Sequence, residues 1–222
     1  MVALAFGQSN AANSGDVRHA SGDHVFNFYL GRLYRARDPL LGATADGGSV
    51  WTRLGDMVIA AKMYDAVIFA PIAVGRSEIR RWAPDGDLHP VLVYTLRDLR
   101  EHGIPPTHLL WHQGESDYLT STEDYKARFR RMMAGIRREE PDAPVFVSIA
   151  SKREDAVYEN VRRAQAELID PAERIYAGPD TDTLGDDWRN AIDHAHFNER
   201  GLWKCAELWL GALRRAEAAP PG

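Results

Sequence analysis

The 222-residue chain has a single cysteine, Cys205. That excludes an intrachain disulfide framework and any multi-cysteine zinc or iron–sulfur centre. Long apolar runs are also missing: the longest, Ala66 to Val74, contains Pro71 and is too short to cross a bilayer. There is no excess of basic charge, since 27 Lys and Arg against 32 Asp and Glu leave a formal charge of −5. The electrostatic footprint of a nucleic-acid binder is therefore absent, and neither nucleic acid nor membrane insertion is an expected partner. No basic-then-apolar stretch opens the chain at Met1–Phe6, so the expectation is a cytoplasmic protein, with an exported mature form left open. What is present, 45% hydrophobic and 27% charged residues, suits a folded globular protein rather than a disordered one.

Five short apolar runs are bounded by turn or helix signals: Val2–Phe6, Ala66–Val74, His108–Trp111, Val145–Ala150 and Arg174–Ala177. Their length and β-branched content predict buried strands. Helical spacing predicts helices over Trp51–Met63, Leu88–His102, Ser121–Glu139, Ala156–Ile169 and Glu199–Glu217. Ser49 is a candidate cap for the first, Gly103 with Pro105 and Pro106 stops the second, and Ser121 opens the third with acids early and arginines late. Strands alternating with helices predict a parallel sheet covered on both faces, with its chemistry at the carboxyl ends of the strands. The segment from about Gly15 to Gly48 lacks periodicity and is expected to be loop-rich and to wrap the site. The tail, about 216–222, is expected to fray. No repeat or linker interrupts the pattern, so one domain spanning 1–222 is the expectation.

Three strand ends carry dense polar clusters. The first is Gly7-Gln8-Ser9-Asn10, where a tight turn brings Ser9 to the strand exit with its backbone N–H free. A helix cap is the alternative use of these residues. The second is His112-Gln113-Gly114-Glu115-Ser116-Asp117, too polar for a simple turn out of a buried strand unless its groups bond one another or a ligand. The third is Asp193-His194-Ala195-His196. Three residues of separation place the Asp193 carboxylate beside the His196 imidazole. A carboxylate on the Nδ1 side fixes the tautomer and leaves Nε2 as a base, and a serine hydroxyl needs such a base to act as nucleophile. Ser9 is the serine so placed. A zinc site built from His112, Asp193, His194 and His196 is the competing chemistry, although no His-Glu-x-x-His pattern accompanies it.

These clusters, in this order, resemble the SGNH hydrolase superfamily, and within it the sialate O-acetylesterase and carbohydrate esterase family 6 group. Members open with Gly-Gln-Ser-Asn, carry a Gln-Gly-Glu-x-Asp segment and close with Asp-x-x-His, here Gly7–Asn10, Gln113–Asp117 and Asp193–His196. The resemblance runs from residue 7 to the last helix. It implies a flavodoxin-like α/β/α sandwich with about five parallel strands and a serine esterase removing O-acetyl groups from carbohydrate, with no cofactor or metal. It also implies roles: Ser9 as nucleophile, His196 as base, Asp193 as its orienting partner, and an oxyanion hole from the Ser9 and Gly75 N–H groups and the Gln113 amide. Gln8, Asn10 and Glu115 are expected in support. Arg76 stands where relatives often have a second glycine, and with Arg80 and Arg81 it is a candidate for an acidic sugar. Trp51, Trp82, Tyr118 and Trp188 are candidates for sugar faces. A lipase or thioesterase on longer acyl chains, an O-acyltransferase and a non-catalytic glycan-binding protein remain as alternatives. The oligomeric state is not legible.

Overall fold

In the computed structural model, which describes residues 1–140 and 142–218, seven strands form one sheet. They are β1 (Val2–Gly7), β2 (Val25–Tyr29), β3 (Arg32–Arg35), β4 (Val67–Pro71), β5 (His108–His112), β6 (Val145–Ile149) and β7 (Ile175–Asp180), ordered β3-β2-β4-β1-β5-β6-β7. All pairings are parallel except β2 with β3. The five expected strands are β1 and β4 to β7. To the expected five or so parallel strands the sheet adds β2, parallel to β4, and β3, its antiparallel hairpin partner, both inside the segment expected to be loop-rich.

Side-chain alternation along β1 explains the layering. Leu4 and Phe6 join one core with Trp111, Val145 and Val147, while Ala3 and Ala5 join the other with Leu110 and Phe146. The first core is closed by α2 (His89–Glu101), α3 (Thr122–Glu139) and α4 (Glu159–Glu167), and the second by α1 (Val50–Ala60) and α5 (Glu199–Ala218). This is the expected three-layer sandwich. The caps act as read: Ser49 Oγ accepts from Trp51 N at 3.0 Å and Ser121 Oγ from Asp124 N at 3.1 Å. Residues 216–218, assigned to a frayed tail, continue α5; residues 219–222 of that tail lie outside the described residues.

At the carboxyl edge of the sheet the chain leaves β1 under tight constraint. Gly7 has φ +139°, and a Cβ there would lie 2.0 Å from the carbonyl oxygen of His112. That contact lets Gln8 N–H donate to His112 O at 3.0 Å, while Gly7 O accepts from Val74 N at 2.9 Å. The exit of β1 is thus bonded to the ends of both neighbouring strands. Gly7→Ala is expected to lower stability by about 2–4 kcal/mol, since no flexible atom can yield; chemical denaturation of the variant beside the parent measures it.

Candidate active site

Ser9 starts a 3-10 turn (Ser9–Ala11) directly after the Gly7 bend. His196 arrives from the other end of the chain, on the loop before α5. Both side chains wall the same two cavities at the carboxyl edge of the sheet. The larger, about 450 Å3, is lined also by Gln8, Asn10, Arg76, Glu78, Glu115, Ser116, Tyr118, Lys152, Arg153 and Asp193. The smaller, about 290 Å3, is lined also by Ser14, Thr44, Ala45, Gly75 and Arg76. A third cavity, between α3, α4 and the start of β7, lies at the opposite edge and holds none of these residues.

Asp193 and His196 form a tight pair. Asp193 Oδ2 lies 2.6 Å from His196 Nδ1, while Oδ1 accepts from the backbone N–H groups of Ala195 at 2.9 Å and His196 at 3.0 Å. Partial burial raises the Asp193 pKa, but those N–H groups and the imidazole outweigh it and bring it down to about 2. The carboxylate stays ionised and Nδ1 is committed to it, so Nε2 is the ring nitrogen left to exchange a proton.

The loop carrying this pair is held by residues the sequence reading did not single out. Buried Arg189 donates to Ala195 O at 2.7 Å, Thr181 O at 2.9 Å and Leu184 O at 3.0 Å, with its guanidinium 4.1 Å from the centre of the Phe197 ring. Asn190 Oδ1 accepts from the N–H groups of Ile192 and Asp193. Their only sequence signal is proximity to the Asp-x-x-His motif.

Asn10 and Glu115, the expected supporting residues, bond to one another beside the cavity. Asn10 Nδ2 donates to Glu115 Oε1 at 2.8 Å and to Ala195 O at 3.2 Å, joining the exits of β1 and β5 to the His196 loop. Glu115 Oε2 is buried without a partner. Burial raises the Glu115 pKa to about 7, with the Asn10 bond and the charge of Arg189 pulling the other way.

Two expected oxyanion donors are corrected. Gln113 is fully buried and lines neither cavity. Its Nε2 lies 3.0 Å from Ser77 O, 2.5 Å from Asp117 Oδ2 and 3.3 Å from Gln8 Oε1, so both N–H bonds are spent inside the protein. Gly75 lies beside Ser9, but its N–H already donates to Thr44 Oγ1 at 2.8 Å. Among the candidate aromatics Trp51 and Trp82 are core residues, donating to Ala11 O and Ser77 Oγ. Trp188 packs against Arg200 instead of lining either cavity. Tyr118 alone of the four lines the larger cavity, with Arg153 4.3 Å above its ring centre. The four residues weighed as zinc ligands do not assemble. His112 is buried against Phe197 and Trp209, and among the described residues no three His, Cys, Asp or Glu side chains form a cation site. Burial lowers the His112 pKa to about 3, which keeps it neutral.

The model of the carbohydrate esterase, sialic acid-specific acetylesterase family matches residues 1–212. The chain belongs to this family. It is accordingly a carboxylic ester hydrolase. Curated proteins include no match. Among solved structures, a protein of Arabidopsis thaliana is similar with a TM-score of 0.81 at 19% identity, covering 98% of each chain. NanS is similar with a TM-score of 0.69 at 16% identity over 97% of each chain. A carbohydrate acetylesterase from Xanthomonas citri has a TM-score of 0.59 at 17% identity, covering 96% of this chain and 56% of that one. At these identities the structures speak for the shared fold.

The esterase's buried Glu115 has a consequence for stability. Its folded pKa stands above the unfolded value of 4.5, so the stability it contributes is full below pH 4.5 and is lost as pH rises through about 7. Glu115→Gln removes that loss. The melting temperature of the variant relative to the parent is expected to be higher at pH 8 than at pH 5, measured by thermal scans in matched buffers.

Proposed function

We propose that the chain is a serine esterase that removes O-acetyl groups from a carbohydrate, with Ser9 as nucleophile, His196 as base and Asp193 as its orienting partner. The observation that carries this reading is that Ser9 and His196 wall the same cavities while Asp193 holds the far side of the imidazole at 2.6 Å. Ser9 Oγ adds to the acetyl carbonyl as His196 Nε2 takes its proton. The tetrahedral adduct collapses to an acetyl-serine, and the sugar oxygen leaves with the proton from His196. Water then repeats the sequence and releases acetate.

The cavity lining favours a sugar over a long acyl chain. Gln8, Asn10, Arg76, Glu78, Ser116, Lys152 and Arg153 surround the larger space, offering donors and acceptors to hydroxyl groups and little apolar surface to an alkyl tail. Arg76 adds a second clue. Arg80 is paired with Glu78 at 2.6 Å and Arg81 with Asp87 at 2.6 Å, whereas Arg76 lines both cavities and has no ion pair among the described residues. An unpaired guanidinium at that place suits a carboxylate on the sugar.

Ser9→Ala is expected to lower kcat on p-nitrophenyl acetate by about 10⁴-fold or more, and Asp193→Asn by a smaller factor. The octanoyl ester is expected to be a much poorer substrate than the acetyl ester. Acetate release by Ser9→Ala at the parent rate would remove the nucleophile assignment. Arg76→Ala is expected to raise KM for an O-acetylated acidic sugar by about tenfold while leaving a neutral acetylated sugar unchanged, the loss being one charge-assisted pair. Steady-state kinetics on the two sugars measures the difference.

A further inference from the structure

With the Gln113 amide spent in the interior and the Gly75 N–H bonded to Thr44, the donors expected to hold a developing oxyanion are largely unavailable. One side-chain donor next to Ser9 remains. Gln8 is only 3% exposed, yet it lines the larger cavity. Its Oε1 accepts from the backbone N–H groups of Ser116 at 3.0 Å and Gly114 at 3.3 Å. Two backbone donors on one oxygen fix the orientation of the amide, because exchanging its ends would set an NH2 group against them. The Nε2 end donates to nothing among the described residues, and it is not one of the walled-off polar atoms that lack a partner. It therefore opens on the cavity.

We propose that the Gln8 side-chain amide is a catalytic residue that donates to the oxyanion of the tetrahedral intermediate. This rests on the serine reading above. As Ser9 Oγ forms its bond to the carbonyl carbon, the carbonyl π pair moves onto oxygen and the Ser9 proton passes to His196. Gln8 Nε2–H meets the negative oxygen, and when the pair returns to re-form the carbonyl, the bond from the carbonyl carbon to the sugar oxygen breaks and that oxygen leaves with the proton from His196. A donor held from behind by the Gly114 and Ser116 backbone needs no reorganisation as the charge appears, which is the condition for a large effect. Gly114 makes the arrangement possible: it has φ +156°, and a Cβ there would fall 2.0 Å from Ala150 O.

The test is Gln8→Glu, which keeps an oxygen for the Gly114 and Ser116 N–H groups and replaces the donor with an acceptor. The expected result on p-nitrophenyl acetate is a kcat loss of about a hundredfold or more at little-changed KM and melting temperature, with affinity for a methylboronate adduct falling in step. A second measurement uses the unsubstituted protein, so that it decides even if the variant does not fold. The nitrogen-15 side-chain amide signal of Gln8 is expected to move when methylboronic acid caps Ser9, and to stay in place in Ser9→Ala. A folded Gln8→Glu protein with parental kcat overturns the assignment, as does an amide signal that ignores the boronate. Failure of the underlying reading looks different: there Ser9→Ala itself retains activity.

Discussion

One buried amide joins the two halves of the site. The candidate nucleophile leaves the first strand, while the candidate base sits on an irregular loop almost two hundred positions later, with no helix or strand to hold its imidazole in place. Asn10 closes that gap by donating through Nδ2 both to Glu115 and to the carbonyl of Ala195. Arg189 grips the same carbonyl from beneath, and Asp193 folds its own loop by accepting from the two N–H groups that follow it. Reacting groups are effective only when their relative placement is set in advance, and the His196 loop is tied down by hydrogen bonds to its backbone atoms. Side-chain packing alone would leave such a loop free to wander.

The polarity under the site follows from that requirement. Gln8, Gln113, Asp117, Tyr125 and Gln165 form a continuous buried network: Tyr125 Oη donates to Gln113 Oε1 at 2.9 Å and Gln165 Nε2 to Gln113 O at 2.7 Å. Such a network is tolerable because nearly every donor has an acceptor, and each unsatisfied member would cost on the order of 1–3 kcal/mol. Glu115 departs from this, with one oxygen bonded and the other walled off. The Asn10 bond and the charge of Arg189 offset part of that cost, and a smaller side chain would leave Asn10 Nδ2 with a single acceptor.

Much of this was legible in the sequence. Short apolar runs mark β1 and β4 to β7, four of them inner strands of the sheet, because parallel strands with neighbours on both sides are buried on both faces, and Ser49 and Ser121 announce their helices through caps that do bond as read. The hairpin of β2 and β3 was hidden for a physical reason. β3, Arg-Leu-Tyr-Arg, lies on the exposed edge of the sheet, and buried Asn27 breaks the apolar run of β2 because its side chain holds Leu41 N at 2.7 Å and carbonyls nearby. Within the candidate site, the motifs point to Ser9, Asp193 and His196, which line one cavity, but not to the aim of an amide. Gln113 and Gln8 are the same residue type a few ångströms apart, and only the partners of each end decide which faces inward.

The least periodic part of the chain turns out to be firmly anchored, and this bears on selectivity. Asp38 and Arg53 form an ion pair that is almost fully buried, in which Asp38 Oδ2 also accepts from His19 N, Ser49 N and Thr52 Oγ1, and Arg53 Nη2 donates to Val17 O at 2.7 Å. Removing either partner would strand a charge away from water, so the pair specifies one path for the segment from Val17 to Ser49. Asn13 extends the restraint by donating to Leu40 O and Ala43 O. Thr44 and Ala45 are thereby fixed as one wall of the smaller cavity, opposite Ser9 and His196. An ester has an acyl side and an alcohol side, and a nucleophile set between two cavities of unequal size can give each its own surroundings. The wall that makes them unequal comes from residues whose order is imposed by two buried charges and a few amides, which is why neither hydrophobic period nor propensity reveals it.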